Sequence, residues 1–112
     1  MFWTRPKSPV AEATPPEVHE RVTRSEALLV DVREPAEWRT VRAARARHLP
    51  LRDLGRHAAE LPKEMPIYLI CASGNRSRTA AGVLLAAGFA SPVSVRGGMN
   101  AWIRAGLPVE RG

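Results

Sequence analysis

The sequence contains a single cysteine and no hydrophobic run of membrane-spanning length. One cysteine forms no disulfide within the chain, so nothing here requires an oxidising compartment. The opening residues MFWTRPK carry cations but are not followed by the apolar segment that a secretory signal needs. The longest apolar-rich run, residues 80–90, is about half as long as a transmembrane helix. We therefore expect a cytoplasmic protein that makes no use of a membrane.

Aromatic residues and lysines are also scarce. Phe, Trp and Tyr together make up 5% of the chain, and 15 of the 17 basic residues are arginines. Because there are only 11 acidic residues, the formal net charge is +6, which favours anionic ligands. The arginines are scattered and do not form a stripe with interleaved aromatic residues, so nucleic-acid binding is not expected. The three histidines lack the spacing of metal ligands, and no metal site is expected.

The order of the predicted elements indicates one α/β domain. Residues 1–13 lack hydrophobic periodicity and are predicted to be an irregular lead-in, and residues 14–112 are predicted to form the domain. Segments of helical length alternate with segments of strand length. The predicted strands lie in ALLVDV, RARHLPL, MPIYLICA and SPVSVRGG. This alternation predicts a mainly parallel sheet with helices on both faces. Ligands of such sheets bind at the carboxyl ends of the strands.

A few residues mark the ends of the predicted helices. Thr14 and Glu17 have the spacing of a capping box at the start of the first helix. Gly88 and Gly106 follow helical segments and are placed as left-handed caps. The C-terminal LPVERG is predicted to be irregular.

The one cysteine, Cys71, follows the apolar segment MPIYLICA and precedes a helical segment. A lone cysteine at a strand end is commonly a small buried apolar residue, which is one interpretation. The other is a nucleophile whose thiolate is stabilised by the N–H groups of the loop and of the helix N-terminus. Gly74 permits a tight turn with positive φ, while Arg76 and Arg78 bring positive charge, one of them facing inward. These neighbours favour the nucleophile.

Three motifs resemble the rhodanese family of single-domain sulfurtransferases, over roughly residues 14–109. LLVDVREPAEW resembles the family's strand with its Asp-Val-Arg signature, and CASGNRS resembles the active-site loop Cys-x-x-Gly-x-Arg-Ser. RGGMNAWIRAGLPV resembles the closing Gly-Gly, Ala-Trp and Gly-x-Pro pattern. The resemblance implies a rhodanese-like α/β fold, with a central, mainly parallel sheet of about five strands and helices on both faces. It also implies sulfur transfer through a persulfide on Cys71 without a metal or organic cofactor.

The implied reaction needs a small anionic sulfur donor, such as thiosulfate, and a nucleophilic acceptor. The acceptor would be cyanide in an assay or a thiol in a cell, for instance on a thioredoxin-like or other sulfur-acceptor protein. The predicted catalytic residue is Cys71. The loop that cradles the persulfide is predicted to consist of Ala72, Ser73, Gly74, Asn75, Arg76 and Ser77. Asp31, Arg33 and Arg78 are the predicted supporting residues. For Asp31, Arg33 and Glu37, an ion pair and a helix cap are the favoured roles.

The sequence departs from the family pattern at two places. Val41 and Arg45 stand where glycines are expected, so the turn there should have a different or strained backbone. Ala72 stands where many thiosulfate-using members have an arginine, so we expect weak thiosulfate affinity and greater use of a protein persulfide donor. Gly97 and Gly98 match the pattern and are predicted to allow a close approach beside the active-site loop.

Three alternatives to a sulfurtransferase enzyme stay open at this point. One is a carrier that accepts sulfur from a dedicated protein and relays it, and another is an inactive interaction module. The presence of Cys71, Gly74 and Arg76 argues against the inactive module. The third is a phosphatase, but related phosphatases and arsenate reductases have one more loop residue than the four between Cys71 and Arg76. The shorter loop suits a sulfane sulfur better than a tetrahedral phosphate.

Overall fold

The apolar and helical segments fold as an alternating series of strands and helices in the computed structural model, which describes residues 10–112. The strands are β1 (Ala11–Ala13), β2 (Leu28–Asp31), β3 (Val41–Ala43), β4 (Arg47–His48), β5 (Ile67–Ile70), β6 (Pro92–Val95) and β7 (Val109–Arg111). The helices are α1 (Pro15–Thr23), α2 (Pro35–Thr40), α3 (Leu51–His57), α4 (Asn75–Ala86) and α5 (Gly98–Arg104), with a 3-10 turn at Ala58–Glu60. Within this range no helix is both long and apolar enough to cross a membrane.

The central sheet has five strands in the order β1-β6-β5-β2-β4, and all of its pairings are parallel. The prediction of a mainly parallel sheet of about five strands is confirmed, and RARHLPL supplies the edge strand β4. β3 and β7 pair antiparallel in a separate two-stranded sheet. Because β5 is the middle strand, its carboxyl end lies between the corresponding ends of β2 and β6. Cys71 follows directly from this end.

Helices cover both faces of the central sheet because its inner strands are apolar on both sides. Leu69 of β5 belongs to a buried cluster with Leu54 of α3 and Leu84 of α4. Ile70, the next residue, points to the opposite face and belongs to a second cluster with Trp102 of α5. Burying one side chain of this size stabilises the fold by roughly 1.5–3 kcal/mol, so the two clusters hold the strand ends in place.

The predicted helix ends agree with the structure. A Glu17 carboxylate oxygen accepts a hydrogen bond from the Thr14 backbone N–H at 3.0 Å, which closes the capping box of α1. Gly88 after α4 and Gly106 after α5 have φ values of 94° and 73°. A side chain is disfavoured at these angles, so the glycines are suited to ending the two helices.

The structure has three short strands that the sequence does not predict. Residues 11–13, within the predicted lead-in, pair with β6, while residues 1–9 of that lead-in lie outside the described residues. β3 and β7 pair with each other, so the prediction of an irregular LPVERG segment is wrong. Each strand has three residues, and Ala-Glu-Ala in β1 lacks β-branched and aromatic side chains. Their extended conformation therefore depends on their partners.

The expected backbone strain is found at Arg45 and is absent from Val41. Arg45 has a φ of 72°, in the left-handed region, which costs a non-glycine residue roughly 1–2 kcal/mol. Val41 has an ordinary extended backbone, with a φ of −160°, and begins β3. Only one of the two replaced glycine positions therefore uses a conformation that favours glycine.

Candidate active site

The Cys71 sulfur lies buried at the carboxyl end of β5, where three groups from the following loop and α4 surround it. Cys71 is 1% exposed. The backbone N–H of Gly74 donates to Sγ at 3.0 Å, and the backbone N–H of Ser77 donates at 3.4 Å. The Cys71 thiol donates to the Ser77 hydroxyl at 3.5 Å. Two backbone donors and one hydroxyl thus converge on one sulfur atom.

The loop obtains this geometry from a left-handed residue directly before α4. Gly74 has a φ of 111° and occupies the N-cap position of the helix. That conformation is readily available only to glycine. It turns the chain so that its own N–H, and that of Ser77 in the first helical turn, face the sulfur. The free N–H groups at the start of a helix form a site for negative charge, which a thiolate or persulfide supplies.

The environment of Cys71 lowers the pKa of its thiol. Burial alone raises this pKa, because a thiolate loses hydration when it is enclosed. The hydrogen bonds act in the other direction: the Ser77 hydroxyl and the N–H groups of Ser77, Gly74 and Ser73 stabilise the thiolate. Together they outweigh burial, so the thiolate fraction at neutral pH is above that of an ordinary cysteine. These hydrogen bonds therefore favour the thiolate, which is the form of a cysteine that reacts as a nucleophile.

The start of α5 holds the backbone of the loop from behind. The N–H of Met99 donates to the Cys71 carbonyl at 2.7 Å, and that of Asn100 donates to the Ala72 carbonyl at 3.1 Å. Gly98 makes this approach possible, because a Cβ added there would lie 2.3 Å from the Cys71 carbonyl oxygen. The prediction that the Gly97–Gly98 pair allows a close approach is confirmed at Gly98.

Arg76 joins the loop to α2 through Glu37. Its Nη1 and Nη2 atoms donate to the two carboxylate oxygens of Glu37 at 2.7 and 2.9 Å. The hydrogen bond from Arg76 is the main reason that the pKa of Glu37 falls from 4.5 to about 2. Glu37 also accepts from the Glu34 N–H at 3.0 Å and so caps α2. The sequence predicts an ion pair and a cap for Glu37 but gives no indication that Arg76 is the partner.

Comparison with known proteins agrees with this fold. A family model described as a rhodanese-like domain matches residues 14–105. The chain belongs to this family. The thiosulfate sulfurtransferase GlpE of Glaesserella parasuis is 34% identical over 101 residues, which cover 90% of this chain and 94% of that protein. A sulfurtransferase of Allochromatium vinosum is 37% identical over 84 residues, or 75% of this chain and 78% of that protein.

The solved structures show the same family fold. The crystal structure of a rhodanese-related protein from Thermoplasma volcanium matches this rhodanese-like domain with a TM-score of 0.81 and 30% sequence identity. The match covers 89% of this chain and 97% of the other. The predicted rhodanese-like fold and family are therefore confirmed.

Arg78, in the first turn of α4 of this rhodanese-like domain, is hydrogen-bonded to side chains other than that of Cys71. Its Nη2 donates to Asn75 Oδ1 at 2.5 Å, and its Nη1 donates to Glu12 of β1 at 3.3 Å. The pKa of Arg76 is raised above its usual value, mainly by the hydrogen bond to Glu37 and to a smaller extent by the charge of Cys71. Both guanidinium groups are thus engaged by other side chains, and the hydrogen bonds to Sγ come from Gly74 and Ser77.

Asp31 and Arg33 form a buried ion pair after β2. Arg33 Nη2 donates to Asp31 Oδ2 at 2.7 Å and to the Val41 carbonyl at 2.6 Å, while the Arg33 N–H donates to Asp31 Oδ1 at 2.9 Å. Asp31 is fully buried and Arg33 is 4% exposed. The pair joins the end of β2 to the start of β3, which is the ion-pair role that the sequence favours. Removing one partner of such a pair typically costs about 3–5 kcal/mol.

Ser94 of β6 reaches the site although no motif marks it. Its hydroxyl lies 2.7 Å from the Ser77 hydroxyl, and both serines are fully buried. A lone polar residue within the apolar strand PVSV requires a hydrogen-bond partner when it is buried. That pattern is the sequence signal that could have marked Ser94.

Proposed function

We propose that this protein is a sulfurtransferase that moves a sulfane sulfur from thiosulfate or a persulfide donor to a nucleophilic acceptor, through a persulfide on Cys71. The observation that carries the proposal is the cradle around the sulfur, in which the N–H groups of Gly74 and Ser77 donate to Sγ at 3.0 and 3.4 Å. The names of the relatives, thiosulfate sulfurtransferase and sulfurtransferase, support the same reaction class.

In the first half-reaction, the Cys71 thiolate attacks the outer sulfur of thiosulfate. A sulfur–sulfur bond forms to Cys71, the sulfur–sulfur bond of thiosulfate breaks, and sulfite leaves with the bonding electron pair. The product is a Cys71 persulfide whose terminal sulfur carries a negative charge. The N–H groups of Gly74 and Ser77 converge on Sγ, next to this charge, and their positive ends favour it.

In the second half-reaction, an acceptor nucleophile attacks the terminal sulfur of the persulfide. The bond between the two sulfurs breaks, and Cys71 leaves as the thiolate that started the cycle. With cyanide the product is thiocyanate, and with a thiolate it is a new persulfide on the acceptor. The Ser77 and Gly74 hydrogen bonds lower the pKa of Cys71, which favours this step as well, because a stabilised thiolate is a better leaving group.

The surroundings of Ala72 favour a persulfide donor over thiosulfate. The side chain at this position has no charge to bind a sulfonate, and Arg76 and Arg78 are occupied by Glu37 and Glu12. A persulfide donor carries its charge on the sulfur that is transferred, so it brings no second anionic group that would need a free arginine. We therefore expect turnover of thiosulfate with a high KM.

The test uses thiosulfate and cyanide, with thiocyanate as the product measured and Cys71→Ser as the control. We expect turnover by the unmodified protein, none by the variant, and a gain of one sulfur atom on Cys71 by mass spectrometry after thiosulfate alone. A sulfur adduct without turnover would indicate a carrier. Absence of both the adduct and turnover, with thiosulfate and with a persulfide donor, would refute sulfur transfer.

A further inference from the structure

The Ser94 hydroxyl is buried and has one hydrogen-bond partner among the side chains of residues 10–112, the hydroxyl of Ser77 at 2.7 Å. Ser94 lies on β6 and is paired with Leu69 of β5, two residues before Cys71. The hydroxyl therefore stands on the sheet side of the cradle, and Ser77 lies between it and the sulfur. The three side chains form a line from Ser94 through Ser77 to Cys71.

The number of protons in this line decides which group donates. Ser77 Oγ has one proton and three neighbours: Cys71 Sγ at 3.5 Å, the Gly74 carbonyl at 3.1 Å and Ser94 Oγ at 2.7 Å. While Cys71 is a thiol, its proton points to Ser77 Oγ, and Ser77 donates to the Gly74 carbonyl. Once Cys71 is a thiolate, the Ser77 proton must turn to the sulfur to stabilise it.

This reversal leaves the Ser77 oxygen without a donor unless Ser94 supplies one. The Gly74 carbonyl retains a partner, because the Arg78 backbone N–H donates to it at 3.3 Å. A hydroxyl that accepts a hydrogen bond becomes a stronger donor itself. Because this site is buried, a water molecule does not readily take the place of Ser94 as the donor to Ser77.

We propose that Ser94 is a positioning residue for the Cys71 thiolate: its hydroxyl donates to Ser77 and so directs the Ser77 hydroxyl to the sulfur. The thiol proton leaves to solvent, both serines keep their protons, and only the Ser77 hydroxyl reorients. The inference rests on the proposed role of Cys71 as a thiolate nucleophile. Its test reads the ionisation of Cys71 and does not depend on sulfur transfer.

The charged groups around the loop stay the same when Ser94 is changed. They form three ion pairs: Arg76 on α4 with Glu37 on α2, Arg78 on α4 with Glu12 on β1, and Arg33 with Asp31 after β2. The line of hydroxyls is separate from these pairs. A change at Ser94 should therefore act on Cys71 through Ser77 alone.

The decisive experiment compares Ser94→Thr with Ser94→Val, which have the same shape and differ by one hydroxyl. The ultraviolet absorbance of the thiolate, titrated with pH, reports Cys71 alone because the chain has one cysteine. Cys71→Ser supplies the blank. Loss of one hydrogen bond should raise the apparent pKa in Ser94→Val relative to Ser94→Thr, reducing the thiolate fraction below the pKa about three- to tenfold. Ser91→Ala, an exposed serine before β6, should leave the titration unchanged.

The second arm compares Ser94→Thr with Ser94→Val again, now in a Ser77→Ala background, which lacks the hydroxyl between Ser94 and Cys71. We expect the difference between Thr and Val to disappear there, whereas a purely structural effect of Ser94 would persist. Equal titrations of Ser94→Thr and Ser94→Val with Ser77 present would overturn the proposal, as would a difference that survives Ser77→Ala. If the titrations behave as expected but neither a sulfur adduct nor thiocyanate forms with thiosulfate or with a persulfide donor, the proposed function fails and the Ser94 role stands.

Discussion

A single methyl group at Gly98 should displace the loop that carries Cys71. The Cβ of a Gly98→Ala variant would lie 2.3 Å from the Cys71 carbonyl oxygen and 2.7 Å from the carbonyl carbon of Ala72. These are backbone atoms, so no side-chain rotation relieves the overlap. Either the loop or the start of α5 must move, and the hydrogen bonds from Met99 and Asn100 are then stretched or broken.

The magnitude follows from three contributions. A non-glycine residue at the Gly98 φ of 57° costs roughly 1–2 kcal/mol. Forcing a methyl group into packed backbone costs about 1–3 kcal/mol. Loss of the two hydrogen bonds to the loop costs roughly 0.5–1.5 kcal/mol each. We expect Gly98→Ala to lower the free energy of unfolding by about 3–8 kcal/mol.

Gly106→Ala is the matched control, because Gly106 has a φ of 73° and no atom within 4 Å of an added Cβ. Only backbone strain applies there, so its free energy of unfolding should fall by about 1 kcal/mol. Urea unfolding measures both values, and thiocyanate formation well below each Tm measures activity. Gly98→Ala should lose most of its activity while folded, and Gly106→Ala should keep it. Equal destabilisation and equal activity in the two variants would refute the close-approach argument.

Two further predictions concern charge near the loop. Because the pKa of Glu37 is lowered from 4.5 to about 2, its ionised form stabilises the fold above pH 4.5, and this contribution is lost as pH falls toward 2. Because solvent screens this partly exposed ion pair, Glu37→Gln should lower the free energy of unfolding by only about 1 kcal/mol at pH 7. Near pH 2 the variant and the unmodified protein should differ less. A difference in the free energy of unfolding that does not depend on pH would contradict this prediction. Ala72→Arg should lower the KM for thiosulfate about tenfold in the thiocyanate assay, because the new guanidinium can form a charge-assisted hydrogen bond with the sulfonate. Ala72→Gln is the uncharged control and should leave the KM unchanged. Equal KM values in the two variants would contradict the idea that thiosulfate binding lacks a positive charge at position 72.

The fold and the loop could be predicted because their determinants are local in sequence. Segments such as MPIYLICA are apolar throughout, which indicates strands of a parallel sheet that is covered on both faces. The Cys, Gly, Arg and Ser of the loop all lie within residues 71–77. The missed features depend on distant partners. Glu37 binds an arginine 39 residues away, and Ser94 meets a serine 17 residues away. No periodicity or motif marks such a pair before the strands are assembled.

The positive charge of the chain has little direct part in holding the sulfur. The arginines nearest the loop are each paired with a carboxylate: Arg76 with Glu37, Arg78 with Glu12, and Arg33 with Asp31. What faces Sγ is a set of N–H and hydroxyl dipoles, which do not titrate near neutral pH and are fixed by the backbone. Such dipoles stabilise a charge on the sulfur itself but offer no free guanidinium to a second anionic group on the donor. We therefore expect a persulfide, whose charge lies on the transferred sulfur, to be a better donor than thiosulfate, because this loop offers no unpaired arginine to the sulfonate of thiosulfate.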